Sequence, residues 1–118
     1  MAKNLVLAVY NLLREFPSEE RYALCDQLRR AVISIPSNVA EGLGRSSEKE
    51  QIRFLEIAYG SLMEVETQLE IAFELKYIPV EEFDSIMELI DREARLLSGV
   101  RARRIHVNHP STPVTHNP

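Results

Sequence analysis

The side chains with which this 118-residue protein could do chemistry are eighteen carboxylates, three histidines, one cysteine and scattered serines. Their spacing assembles no reactive set. A di-iron centre in a helical bundle takes Glu from two helices and Glu-x-x-His from two others. Here the only histidines, His106, His109 and His116, all fall in the last stretch of chain. Their polar, proline-rich surroundings offer no fixed geometry for a metal, so neither metal nor cofactor is expected. Cys25 lies among Tyr22, Leu24 and Leu28 with no nearby histidine to lower its pKa, and reads as a small buried apolar residue. Ser34, Ser37, Ser46, Ser47 and Ser61 have no histidine partner to act as a base, which leaves nucleophilic catalysis without support.

Three polar groupings remain. Gly42-Leu43-Gly44-Arg45-Ser46-Ser47 precedes a helix start, where free N–H groups, two hydroxyls and Arg45 could meet a phosphate. No strand precedes it and neither phosphate-loop spacing is present, so a structural turn is the stronger reading. Asn38, Glu41 and Arg45 are expected to form a polar cluster that fixes this turn through hydrogen bonds. An enzyme using them with Glu64 is the weakest of the functional readings. Glu66, Glu70 and Glu74 form a like-charged i, i+4 row that costs a few tenths of a kcal/mol per pair. The row reads as a solvated face, with Arg29 and Arg30 or Arg92 and Arg95 as the alternative source of compensation.

Four amphipathic segments must position these groups. Leu5, Val9, Leu12, Leu13 and Phe16 make one stripe over Asn4 to Phe16, which Pro17 ends. Ser18 is expected to cap a second helix bearing Leu24, Leu28, Ala31, Val32 and Ile35, and Pro36 is expected to bend it. Gly42 and Gly44 are expected to supply unusual backbone angles at its end. Ser47 and Glu50 form an S-x-x-E capping box that starts a long third helix over Glu48 to about Lys76. Leu55, Leu62 and Leu69 recur in it at bundle spacing. Ile52, Phe54, Ile57, Met63, Ile71 and Phe73 widen its apolar perimeter, which suggests burial in an oligomer. Gly60 in its interior is expected to mark a close approach by another element. Pro79 then separates a fourth segment, Val80 to about Arg104, with Phe83, Ile90, Leu97 and Val100 on its stripe. The expected architecture is an all-α, antiparallel up-down four-helix bundle over residues 1–104, followed by a flexible or extended tail over 105–118.

Composition bounds the functions available. One domain with 45% hydrophobic and 27% charged residues describes a globular protein. No apolar run is long enough to cross a membrane, and no signal peptide is recognisable, so a cytoplasmic location without a membrane partner is expected. All eighteen acids lie in residues 1–100, beside eleven of the fourteen Lys and Arg. An acidic body with a net charge of −4 weighs against indiscriminate nucleic-acid binding by one chain.

The stretch from Gln27 to Ile78 resembles the bacterial 23S rRNA-intervening sequence proteins, or S23 family. The likeness rests on Ile35-Pro36-Ser37-Asn38, Ala40-Glu41-Gly42, Gly44-Arg45, Phe54-Leu55, Ala58, Gly60-Ser61, Glu64 and Glu66-Thr67. It implies an up-down bundle that assembles as a ring-shaped homo-oligomer, with a pentamer as the expected form, and brings no enzymatic activity with it. A more distant likeness is to the accessory protein of diversity-generating retroelements, whose basic surface has no clear counterpart at a pI of about 5.4. The chain also lacks Trp and the longer first helix frequent in the family. The function expected is a non-enzymatic scaffold binding RNA or an RNA-associated protein, with a protein-interaction module as the alternative. Arg29, Arg30, Arg45, Arg53, Arg101, Arg103 and Arg104 are the candidate contacts, each weak alone and additive across a ring.

Overall fold

A computed structural model describes the backbone of residues 2–108 and the side chains of residues 2–103. The described chain is all-helical. It comprises α1 (Ala2–Leu13), α2 (Leu24–Leu43), α3 (Glu48–Glu74) and α4 (Val80–Asn108), with a short 3-10 turn at Ser18–Glu20 between α1 and α2.

Helix α1 buries Leu5, Val9, Leu12 and Leu13. Its C-terminal end tightens into i→i+3 bonds, as Arg14, Glu15 and Phe16 donate to Asn11, Leu12 and Leu13, and Pro17 stops it. Ser18 does not cap α2. It belongs to the 3-10 turn, whose backbone bonds from Glu20 to Pro17 and from Arg21 to Ser18 use the local carbonyls. Helix α2 instead starts after Ala23, which provides no side-chain cap. The turn is held by packing: Phe16 is buried against Tyr77 at 5.4 Å between ring centroids, and Tyr77 Oη donates to Glu20 Oε2 at 2.9 Å.

Helix α2 continues through Pro36 to Leu43, so Ser37 to Glu41 are helical. Ser47 then starts α3 as expected, its Oγ accepting from the Glu50 N–H at 3.3 Å. The end of α3 is a Schellman motif, in which Tyr77 N–H donates to Ala72 O and Lys76 N–H to Phe73 O. Lys76 occupies the left-handed position with φ of 68°. Helix α4 follows Pro79 and runs four residues past the expected Arg104. The rest of the expected tail, residues 109–118, lies outside the described residues, as do the side chains of Arg104 and all three histidines.

Cross-helix contacts set the topology. Ser34 meets Ser61 and Gln27 meets Gln68, so α2 and α3 run antiparallel. Phe73 stacks on Phe83 while Arg101 reaches Glu56, so α3 and α4 are antiparallel too. Helix α1 packs on α2 and α4, and among the described residues the backbones of diagonal helices do not come close. That is an up-down four-helix bundle, 54 × 26 × 18 Å. Leu28, Val32, Ile35, Leu55, Leu62, Val65 and Leu69 fill its centre.

Three glycines behave differently from expectation. Neither Gly42 nor Gly44 has a positive φ. Gly42 is needed for space, since a Cβ there would lie 2.9 Å from Phe54 Cβ and 3.2 Å from Gln51 O. At Gly60 a Cβ would meet nothing within 4 Å among the described residues, so the expected close approach is not found there. The small side chain facing α2 is the next residue, Ser61.

Candidate functional site

The α2–α3 turn, the start of α3 and the C-terminal half of α4 meet at one end of the bundle. Gly42 lets α2 close against the first turns of α3. Gln51 Nε2 donates to Arg45 O at 2.7 Å, which clamps the turn to α3. Arg45 forms an i, i+4 ion pair with Glu41, and its guanidinium carbon lies 5.0 Å from the centre of the Phe54 ring. Arg53 approaches the same ring, also at 5.0 Å. The two guanidinium carbons are therefore no further apart than twice that distance, and each is ordered by a cation–π contact.

One turn further along α3 is Glu56, which accepts from Arg101 Nε at 2.8 Å and Arg101 Nη2 at 2.6 Å. Lys49, four residues before Arg53, shares its side of the helix. Lys49, Arg53 and Arg103 are exposed and carry no ion pair with another described residue. Of the seven candidate arginines, Arg45, Arg53 and Arg101 are thus linked through Phe54 and Glu56, and Arg103 is two residues from Arg101 on α4. Arg29 and Arg30 are elsewhere, on the N-terminal half of α2. Arg29 pairs with Asp26 at 3.7 Å and lies 6.0 Å from the Tyr10 ring.

The expected polar cluster divides in two. Glu41 and Arg45 are together, whereas Asn38 belongs to a separate seam between α2 and α3. Asn38 Nδ2 donates at 2.8 Å to both Ser34 O and Ser34 Oγ, and Ser34 Oγ is 2.8 Å from Ser61 Oγ. Pro36 removes the N–H that would pair with Val32 O, whereas the Asn38 amide bonds a different carbonyl and ties the helix to itself beside the proline. Further along the seam, Gln68 Nε2 donates to Glu64 Oε2 at 3.2 Å and Gln27 Oε1 at 3.4 Å. Gln68 is buried, and its Oε1 has no partner among the described residues. Glu64 therefore belongs to this seam and not to the turn cluster. A periodic reading counts Gln68 as polar and exposed; its place three residues after Val65 and four before Ala72, both buried, was the available sign of burial.

The remaining titratable groups have structural surroundings. Burial raises the pKa of the Cys25 thiol, in keeping with an inert core residue. Arg95 pairs with Asp91 on its own helix, and the row Glu66, Glu70 and Glu74 has no ion pair among the described residues. Glu93 is buried at 6% exposure, and burial pushes its carboxyl above the ordinary range. It follows Ile90 by three residues and so shares its core-facing side. No group of three or more His, Cys, Asp or Glu among the described residues is arranged to hold a metal, and no described helix is long and apolar enough to cross a membrane.

Comparison with known proteins agrees with the architecture. A family model described as 23S rRNA-intervening sequence protein matches residues 1–99. The fold is similar to the crystal structure of a protein of unknown function from the S23 ribosomal protein family of Bacteroides thetaiotaomicron. The two share 24% identity at a TM-score of 0.78, over 86% of this chain and 91% of that one. Among curated proteins, none matches the chain.

Proposed function

The chain belongs to the 23S rRNA-intervening sequence protein family, and from that premise we propose that it is a non-enzymatic scaffold which assembles with copies of itself and presents a repeated surface to RNA. The observation that carries self-assembly is the outer stripe of α3. Ile57, Gly60, Ile71 and Leu75 share one side of that helix, and the three apolar side chains are 40%, 48% and 50% exposed. A mid-helix glycine costs about 1 kcal/mol relative to Ala. The free face of Gly60 would let a second copy's helix approach closely, as a ring requires. A pentamer and a bend at Pro36 that shapes the protomer are the finer parts of this proposal. A scaffold also accounts for serines and an asparagine engaged with one another instead of with a base, and a cytoplasmic setting suits it.

Light scattering on the purified chain tests assembly. The expected mass is a defined multiple of the 13.5 kDa chain, and Ile57→Asp with Ile71→Asp should reduce it toward one copy. A stable monomer at micromolar concentration would refute the scaffold. The solvated row Glu66, Glu70 and Glu74 favours a second reading, a module for protein partners alone. RNA crosslinking, and pull-down with and without nuclease, separate the two readings: partners retained after nuclease, with no RNA recovered, select the second.

A further inference from the structure

We infer that the second copy which covers the outer side of α3 does so with its α1, in a head-to-tail contact between the exposed row of α1 in one chain and that of α3 in the next. This rests on the self-assembly half of the proposed function and deepens it by naming the helix that does the covering.

Each of the two helices carries a second row opposite the one it buries. On α1 the row is Lys3, Leu7, Tyr10 and Arg14, the last just past the end of the helix. On α3 it is Gly60, Glu64, Thr67, Ile71 and Glu74. Every one of these residues is exposed, and steps that alternate between three and four residues are those by which two helices meet along a seam. Leu7 is 68% exposed, and Tyr10 and Ile71 are large apolar side chains left open beside it in type.

Charge selects which row meets which. The first fourteen residues contain Lys3 and Arg14 and no acid, whereas Phe54 to Leu75 contains five acids and no Lys or Arg. Of those acids only Glu56 has an ion pair among the described residues, and Lys3 and Arg14 have none. Arg14 shares a groove with Glu15 and Glu82, and Glu64 shares one with Arg30, without reaching ion-pair distance in either case. Within one chain the opposite charges of α1 and α3 do not meet, because the two helices are diagonal and their backbones do not come close. Between two chains they do. With the helices antiparallel, Lys3 faces Glu74, Leu7 faces Ile71 and Arg14 faces Glu64. At the helical rise the cations are about 16 Å apart along the axis and the two carboxylates about 15 Å. The turn closed by Pro17 then falls at Gly60, where the missing side chain leaves room for it. Glu74, repelled by Glu70 within its own helix, gains a cation there. Pairing either row with the same row of another copy would instead set like charges together, which is costly. Because two different faces meet, each contact leaves one face of each kind open, and the series ends by closing on itself.

The test is sedimentation velocity of the full chain over a range of concentrations. Lys3→Glu with Arg14→Glu, and separately Glu64→Lys with Glu74→Lys, should each weaken association by at least about tenfold. All four changes in one chain should restore it to within about threefold of the parent, since the charges are exchanged and not removed. That recovery separates a broken contact from a damaged fold. Arg92→Glu with Arg95→Glu on α4 alters net charge as much as the α1 pair does and should leave association within about twofold. A parent that is monomeric throughout ends the self-assembly reading and this inference together. If the parent assembles but the paired reversals match it, or the fourfold variant stays dissociated, or the α4 variant dissociates equally, self-assembly stands and the assignment to α1 is overturned.

Discussion

At the scale of single residues, Glu93 is the side chain whose surroundings most contradict its type. It is buried on α4 between the turns of Ile90 and Leu97, and burial raises its carboxyl pKa. An acid whose pKa is raised by folding stabilises the fold while protonated. That contribution is complete below the ordinary carboxylate pKa and is lost as pH rises through the folded value. Thermal melts of the parent and of Glu93→Gln should therefore converge in mild acid, with the variant melting higher near neutral pH. A difference that stays constant with pH would show that Glu93 does not titrate in the core. The sequence hides this because the fourth stripe is complete without it: Ile90, Ala94 and Leu97 satisfy the period, and a charged type is counted as solvent-facing. Cys25, Leu55 and Leu62 were legible for the opposite reason, since their types and positions agree.

Among elements, the hairpin of α2 and α3 turns on two glycines with opposite roles. At Gly42 the atoms that an added methyl would meet, Phe54 Cβ at 2.9 Å and Gln51 O at 3.2 Å, are fixed to the backbone of α3. They cannot swing aside, so Gly42→Ala should force the helices apart at the turn and destabilise the chain by about 1–3 kcal/mol, read as a lower urea midpoint. At Gly60 the added methyl meets nothing within 4 Å. In a variant held monomeric by Ile57→Asp and Ile71→Asp, Gly60→Ala should stabilise by about 1 kcal/mol through helix propensity. In the assembled form the same change should weaken association. A helical glycine can provide backbone freedom, room for a neighbour or a face for another molecule, and the three leave the same letter in a sequence. The capping box at Ser47 and the stop at Pro79 were legible because each acts through its own backbone neighbours. The 3-10 turn before α2 was not, since Ser18 is drawn away from capping by a turn fixed through Phe16, Tyr77 and Glu20, residues far apart in the chain.

For the whole molecule, the bundle is uneven along its length. Helix α1 has 12 residues against 20, 27 and 29 for the others, and it packs beside the first half of α4. The turn end is consequently three helices thick. The helical class and the number of helices were legible because apolar residues recur at helical spacing over long stretches, which a strand does not imitate. The gathering of basic residues was not, because residues 45, 53 and 101 become neighbours only after the hairpin closes and α4 returns alongside α3. Local stability follows the same unevenness. Amides open most readily where few buried contacts must be given up, and α1 contributes four buried side chains whereas α3 contributes seven, the latter gripped by both α2 and α4. Hydrogen exchange should be slowest over Leu62 to Leu69 at the centre of α3 and appreciably faster throughout α1. Equal protection of the two would mean that the bundle opens only as a unit.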